Sequence, residues 1–142
     1  MKIVRLLEFR KQQEQQAKGV LSQRVGQLRE ELNRLQSLKE ELLRTENLSF
    51  QQVEFPVALL QQRACYLDRL QGWIREQQEQ VKKSRDRVQQ ARAKWEECRL
   101  EKEKMEKLME KWEERQRERE KVLTQRYLDE MGTLRFIDGN QC

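Results

Sequence analysis

Leu60, Leu67, Ile74, Val81, Val88 and Trp95 recur at intervals of seven residues. A second row, Leu70, Ala91, Cys98, Met105 and Trp112, keeps the same interval and is diluted by Arg63, Gln77 and Ser84. Two such rows place one narrow apolar stripe along an α-helix, and a partner helix is what buries that stripe. No proline interrupts either row. A strand changes face at every residue, so this pattern cannot be satisfied by a sheet.

The first part of the chain carries a related signal. Leu21, Val25, Leu28, Leu32, Leu35 and Leu42 alternate four- and three-residue steps and predict a seam, with Lys39 at one of its positions. Val4 and Leu7 fit the same register upstream, whereas Glu14 and Lys18 interrupt it. Gly19 and Gly26 each weaken a helix by roughly 1 kcal/mol relative to Ala, and would allow a bend or a close partner.

Between the two patterns lies "TENLSFQQVEFP" (Thr45–Pro56), with Asn47, Ser49 and the only proline. Pro56 disfavours helix at Phe55 and suits a first helical position. An earlier start, capped by Ser49 with Gln52 closing a capping box, also fits. The expectation is a single all-α hairpin over residues 1–132: an antiparallel two-helix coiled coil with unequal arms. Helix 1 is placed at about 2–46, the turn at about 47–55 and helix 2 at about 56–131, with 133–142 as a flexible tail. The second helix would be about 114 Å long. Past about Trp112 it would outrun the first and fray without a partner.

Composition matters here because charged residues reach 39% and aromatics only 6%, a balance shared by long helices and unfolded chains. Two seven-residue rows joined by one break favour the helices. The net charge is +5, but signs alternate: Arg99–Lys121 holds nine basic and eight acidic residues. A nucleic-acid face would show a basic stripe, so no nucleic-acid partner is expected. Pairs such as Glu30–Arg34, Glu40–Arg44, Glu103–Lys107 and Glu113–Arg117 stand four apart, acid first, and support a solvated helix.

Little chemistry is available. There is no His, no phosphate-binding loop and no concave site, so no catalysis and no cofactor are expected. Cys65, Cys98 and Cys142 are too far apart for a zinc site and odd in number, which fits free thiols. No apolar run approaches 18 residues and no signal-peptide core follows Met1, so a soluble protein without direct membrane insertion is expected.

The aromatics say more. Trp95 and Trp112 lie on the seam rows. Trp112 falls where the first helix runs out, and an aromatic on a lone helix suggests a partner surface. Tyr66, Leu70 and Trp73 stand at i, i+4 and i+7 and share one face. That face either packs on the first helix or forms a partner site near the turn.

The opening "LLEFRKQQEQQA" (Leu6–Ala17), the polar heptad helices, the break and the closing "ERQREREKVLTQRYLDEM" (Glu114–Met131) resemble the FliJ family of flagellar export proteins and the related YscO-like stalks of virulence type III secretion. The resemblance spans nearly the whole chain. It implies a two-helix stalk, similar in shape to the γ subunit of rotary ATPases. It also implies a hexameric export ATPase and the export gate protein FlhA as partners, with export chaperones as further ones. It places the protein in the cytoplasm, peripheral to the inner face of the bacterial cell membrane.

By position, the resemblance assigns Leu6, Leu7, Phe9, Arg10, Lys11, Tyr127, Leu128, Asp129 and Glu130 to the ATPase. It assigns Leu35, Leu38, Leu42, Tyr66, Leu70 and Trp73 to the gate. Trp73 stands where the family has a smaller side chain. Two alternatives stay open: a structural coiled coil, or an escort for export chaperones. The flagellar and virulence systems are not distinguished.

Overall fold

The computed structural model describes residues 2–51 and 56–140. The chain is all-α, with two long antiparallel helices in contact that form a hairpin with unequal arms: α1 (Lys2–Gln51) and α2 (Val57–Asn140). Their contacts divide the chain into two units. One comprises Glu14–Cys98, the other Met1–Gln13 with Arg99–Cys142.

Both helices extend further than the repeat alone indicates. α1 continues past residue 46 to Gln51, so Ser49 lies inside α1, and α2 starts at Val57, later than a start after Ser49 would put it. Gln52, the other half of that cap, and Phe55 lie outside the described residues. Pro56 immediately precedes α2, one position before the first helical residue. Its carbonyl accepts the amides of Leu59 (3.0 Å) and Leu60 (3.2 Å), as an N-cap carbonyl does. α2 runs through Gly132 to Asn140, so helix occupies 133–140, where the composition suggested a tail.

In the Glu14–Cys98 unit both predicted rows of α2 face α1. Leu70, Ile74, Val81, Val88, Ala91 and Cys98 are buried, and Leu67 and Trp95 are half-buried. Leu60 alone departs from this and is exposed. The polar residues in these rows are part of the seam. Ser84 is buried, and Gln77 donates its amide to the Glu31 carbonyl at 2.9 Å and to the Glu31 carboxylate.

On α1 one predicted row is present and its companion is not. Leu21, Leu28, Leu35 and Leu42 line the seam at half-burial. The companion row is Ala17, Arg24, Glu31, Leu38 and Thr45, not Val25, Leu32 and Lys39. Leu32 is 37% exposed and Lys39 is exposed, while Val25 flanks the seam. The physical reason lies across the interface, where Gln77 satisfies Glu31. Thr45, also buried, turns its hydroxyl back onto the Glu41 carbonyl at 2.8 Å. Small residues at Ala17, Ser84 and Ala91 keep this core thin, so burying any one side chain adds only about 1.5–3 kcal/mol.

In the other unit Leu7 is the one buried apolar side chain among the described residues, and Arg10 reaches Glu101 at 4.0 Å. From Arg117 to Glu130 every residue of α2 is exposed. Helix–helix burial has ended along this stretch. Surface ion pairs follow the expected spacing at Glu40–Arg44 (3.8 Å) and Glu113–Arg117 (3.9 Å). Arg34 pairs with Glu31 at 3.9 Å, three residues away, instead of with Glu30. Exposed pairs of this kind contribute about 0.3–0.5 kcal/mol each.

Candidate functional site

Near the start of α2, Tyr66 and Trp73 project from the helix one heptad apart. Their rings meet edge to face, with centroids 6.5 Å apart and planes at 83°. Trp73 is 46% exposed. Leu70, predicted to share their face, is 1% exposed and is the most deeply buried large side chain in the chain's described part. The stripe therefore divides. Leu70 belongs to the seam, and the two aromatics stand at its edge, facing solvent.

Tyr66 is tied to α1. Its hydroxyl donates to Glu41 Oε1 at 3.3 Å. Loss of solvent around the phenol, then the Glu41 charge, then this hydrogen bond raise the Tyr66 pKa above its ordinary value. Glu41 was invisible to sequence reasoning, because nothing along the chain links positions so far apart. Leu59 was legible in principle. It stands seven residues before Tyr66 and is likewise exposed. Leu35, Leu38 and Leu42 are half-buried in the seam. They support this end of the pair and present little surface of their own.

The unit made from both chain ends carries the second set. Leu6 and Phe9 are about half exposed, Lys11 is exposed, and Leu7 is buried against α2. Arg10 is held on three sides: it lies over the Phe9 ring at 5.8 Å, donates to Gln13 at 3.2 Å and pairs with Glu101. Farther along α2, Tyr127 is 61% exposed, and Leu128, Asp129 and Glu130 are exposed as well. Asp129 accepts Gln125 Nε2 at 3.2 Å, and its carbonyl accepts the Thr133 hydroxyl at 2.8 Å.

These two clusters share a unit without forming one site. With Arg10 beside Glu101, the antiparallel register sets Lys2 near Met109. Tyr127 lies 18 residues further on, about 27 Å at the helical rise. The N-terminal cluster therefore flanks the pair, and the Tyr127–Glu130 cluster sits on unpaired α2.

Among the described residues no group of His, Cys, Asp or Glu is placed to hold a metal ion. No described helix is long and apolar enough to cross a membrane. The hollows beside α2 are shallow and open, such as the one lined by Arg115, Glu118, Arg119, Val122, Leu123 and Arg126.

A protein-family model, that of the flagellar FliJ protein, matches residues 2–141 of the chain. No curated protein and no solved structure matches it.

Proposed function

The chain belongs to the flagellar FliJ family, a non-catalytic component of the flagellar export apparatus, and from that premise we propose that it acts as a stalk for the export ATPase. In this reading the unpaired arm of α2 enters the pore of the ATPase hexamer and promotes its assembly and hydrolysis. The Tyr66–Trp73 edge near the turn meets the export gate protein FlhA, so that one chain links motor and gate. Export chaperones are further partners of the same apparatus. The site of action is the cytoplasmic face of the cell membrane, reached through protein partners.

The observation that carries this reading is the run from Arg117 to Glu130, every residue of which is exposed along α2. A lone helix buries no seam, so its stability rests on weak i, i+4 pairs unless something surrounds it. A ring pore supplies such a surrounding. Interleaved charges favour reversible contacts over a single tight site, which suits a shaft that changes neighbours around a ring.

The test mixes the purified chain with the export ATPase of the same organism and follows hydrolysis and hexamer formation. Full-length protein should stimulate both, and a truncation ending at Lys121 should stimulate neither. No stimulation by a helical, monodisperse full-length protein would remove the stalk reading and leave a structural coiled coil or a chaperone escort.

A further inference from the structure

α1 of the Glu14–Cys98 unit has two candidate companion rows for a single shared row. Leu21, Leu28, Leu35 and Leu42 belong to both. The row turned inward is Ala17, Arg24, Glu31, Leu38 and Thr45. The row on the other side of the shared one, the outward row, is Lys18, Val25, Leu32 and Lys39, of which Lys18, Leu32 and Lys39 are exposed and Val25 is half-buried at the seam's edge. We infer that these are alternative seams, and that a rotation of α1 by about 50° about its own axis exchanges them. Neighbouring residues stand about 100° apart on a helix, and the seam centre moves by half that step when one companion replaces the other.

The two states differ little in apolar content. The inward row contributes Ala17 and Leu38, and the outward row Val25 and Leu32. The inward row also buries part of two charged residues. Arg24 carries its own partner, Gln27 Oε1 at 3.1 Å on the same helix, and would keep it after rotation. Lys18 and Lys39 would then lie at the seam, where their methylene stems cover apolar surface while the ammonium groups stay in water.

α2 offers no matching choice along this stretch. The residues flanking its seam there, Gln78, Arg85 and Arg92 on one side and Gln80, Arg87 and Lys94 on the other, are polar and exposed. α1 is therefore the element that turns. The hydrogen bonds from Gln77 to Glu31 hold the observed state across the interface. The Trp95–Glu14 bond does not choose between states, because Glu14 stands on the shared row.

A packed helix pair with two discrete arrangements is a switch element. One state shows partners an apolar edge at Leu32, and the other shows the charged edge of Arg24 and Glu31. A partner that contacts either edge selects the state that exposes it. This inference does not depend on the stalk reading, and its test uses no ATPase.

The experiment follows thiol labelling by a maleimide in a Cys65→Ser, Cys98→Ala, Cys142→Ser background, with helicity checked by circular dichroism. Single cysteines replace Leu32 in one protein and Leu38 in another. Each then receives Gln77→Leu, which removes the lock, or Lys39→Leu, which makes the outward row more apolar. Exchange of seams predicts opposite changes: labelling at position 32 slows several-fold while labelling at position 38 quickens. Unchanged rates at both positions would overturn the inference. So would a parallel rise at both with either variant, the signature of general loosening. Lys39 is exposed, so its variant still decides the matter if Gln77→Leu does not fold.

Discussion

The indole Nε1 of Trp95 donates a hydrogen bond to Oε1 of Glu14, 3.2 Å away on the opposite helix. Taken alone, Glu14 is a defect in a heptad row. Opposite Trp95 it supplies the acceptor that a half-buried indole needs, and it fixes which turn of α1 faces which turn of α2. Glu14→Ala should lower stability by about 1 kcal/mol, because it leaves that N–H without its carboxylate. Glu14→Gln keeps an acceptor and should stay within about 0.5 kcal/mol. Urea unfolding followed by circular dichroism distinguishes the two; equal losses would show that the carboxylate charge, and not the acceptor, matters.

Leu70 and Trp73 provide a second contrast within a single turn of α2. Leu70→Ala removes the most buried large side chain and should cost about 2–4 kcal/mol, a large share of the stability of a pair with one thin seam. Trp73→Ala, at the exposed edge, should cost less than about 1 kcal/mol, and should weaken capture of the export gate protein if the proposed contact is made there. Melting curves and a binding assay on both variants check this split. Gate binding lost only with Leu70→Ala would move the contact away from the aromatic edge.

The contrast between α1 and α2 shows how far the sequence could be read. On α2 apolar side chains dominate both rows, so periodicity alone located Ile74, Val81, Val88, Ala91 and Cys98. On α1 the same rule preferred Val25 and Leu32 to Arg24 and Glu31, and it chose the wrong companion row. Glu31 sits in the seam because Gln77 on the opposite helix satisfies it, and Gln77 is not its neighbour along the chain. The helix ends escaped for a related reason: local turn formers near Ser49 and Gly132 are weak votes against continued helix. For the candidate surfaces, periodicity placed Leu7 and Leu70 on the seam, where both are buried, but the resemblance grouped them with their exposed neighbours Leu6, Tyr66 and Trp73.

Tyr66 should report its tie to Glu41 through pH. Its phenol is held neutral in the folded chain, so the folded pKa lies above the unfolded value. The associated stabilisation is present in full below the unfolded pKa near 10 and is lost as pH rises through the folded one. Ultraviolet titration of tyrosinate should therefore show one group ionising late. Glu41→Gln removes the carboxylate charge and should bring that midpoint down, though not fully, since the loss of solvent remains. A midpoint indifferent to Glu41→Gln would mean that the hydrogen bond does not persist in solution.

Gly26 lies inside α1, and a methyl group added there would meet nothing within 4 Å. Gly26→Ala should therefore stabilise the free protein by about 0.5–1 kcal/mol, the ordinary helix preference, visible as a higher melting temperature. Because the position faces open space, the substitution also probes for a partner. Stabilisation accompanied by weaker stimulation of the ATPase would place another chain close against this turn of α1. Stabilisation with full activity would leave Gly26 without a role.

The sharpest separation of fold from function lies in the unit built from the chain ends. Leu7 is buried and contributes to pairing, whereas Tyr127 and Leu128 contact little of their own chain. Leu7→Ala should therefore lower the melting temperature, with any loss of ATPase stimulation following from poorer pairing. Tyr127→Ala with Leu128→Ala should change stability by no more than about 0.5 kcal/mol, as expected for surface positions. The same pair of substitutions should abolish most of the stimulation if the unpaired arm meets the ring. Full stimulation by a protein lacking both side chains would remove this cluster from the ATPase contact. Leu6 and Phe9, the exposed residues at the other end of the unit, would then be the positions to substitute.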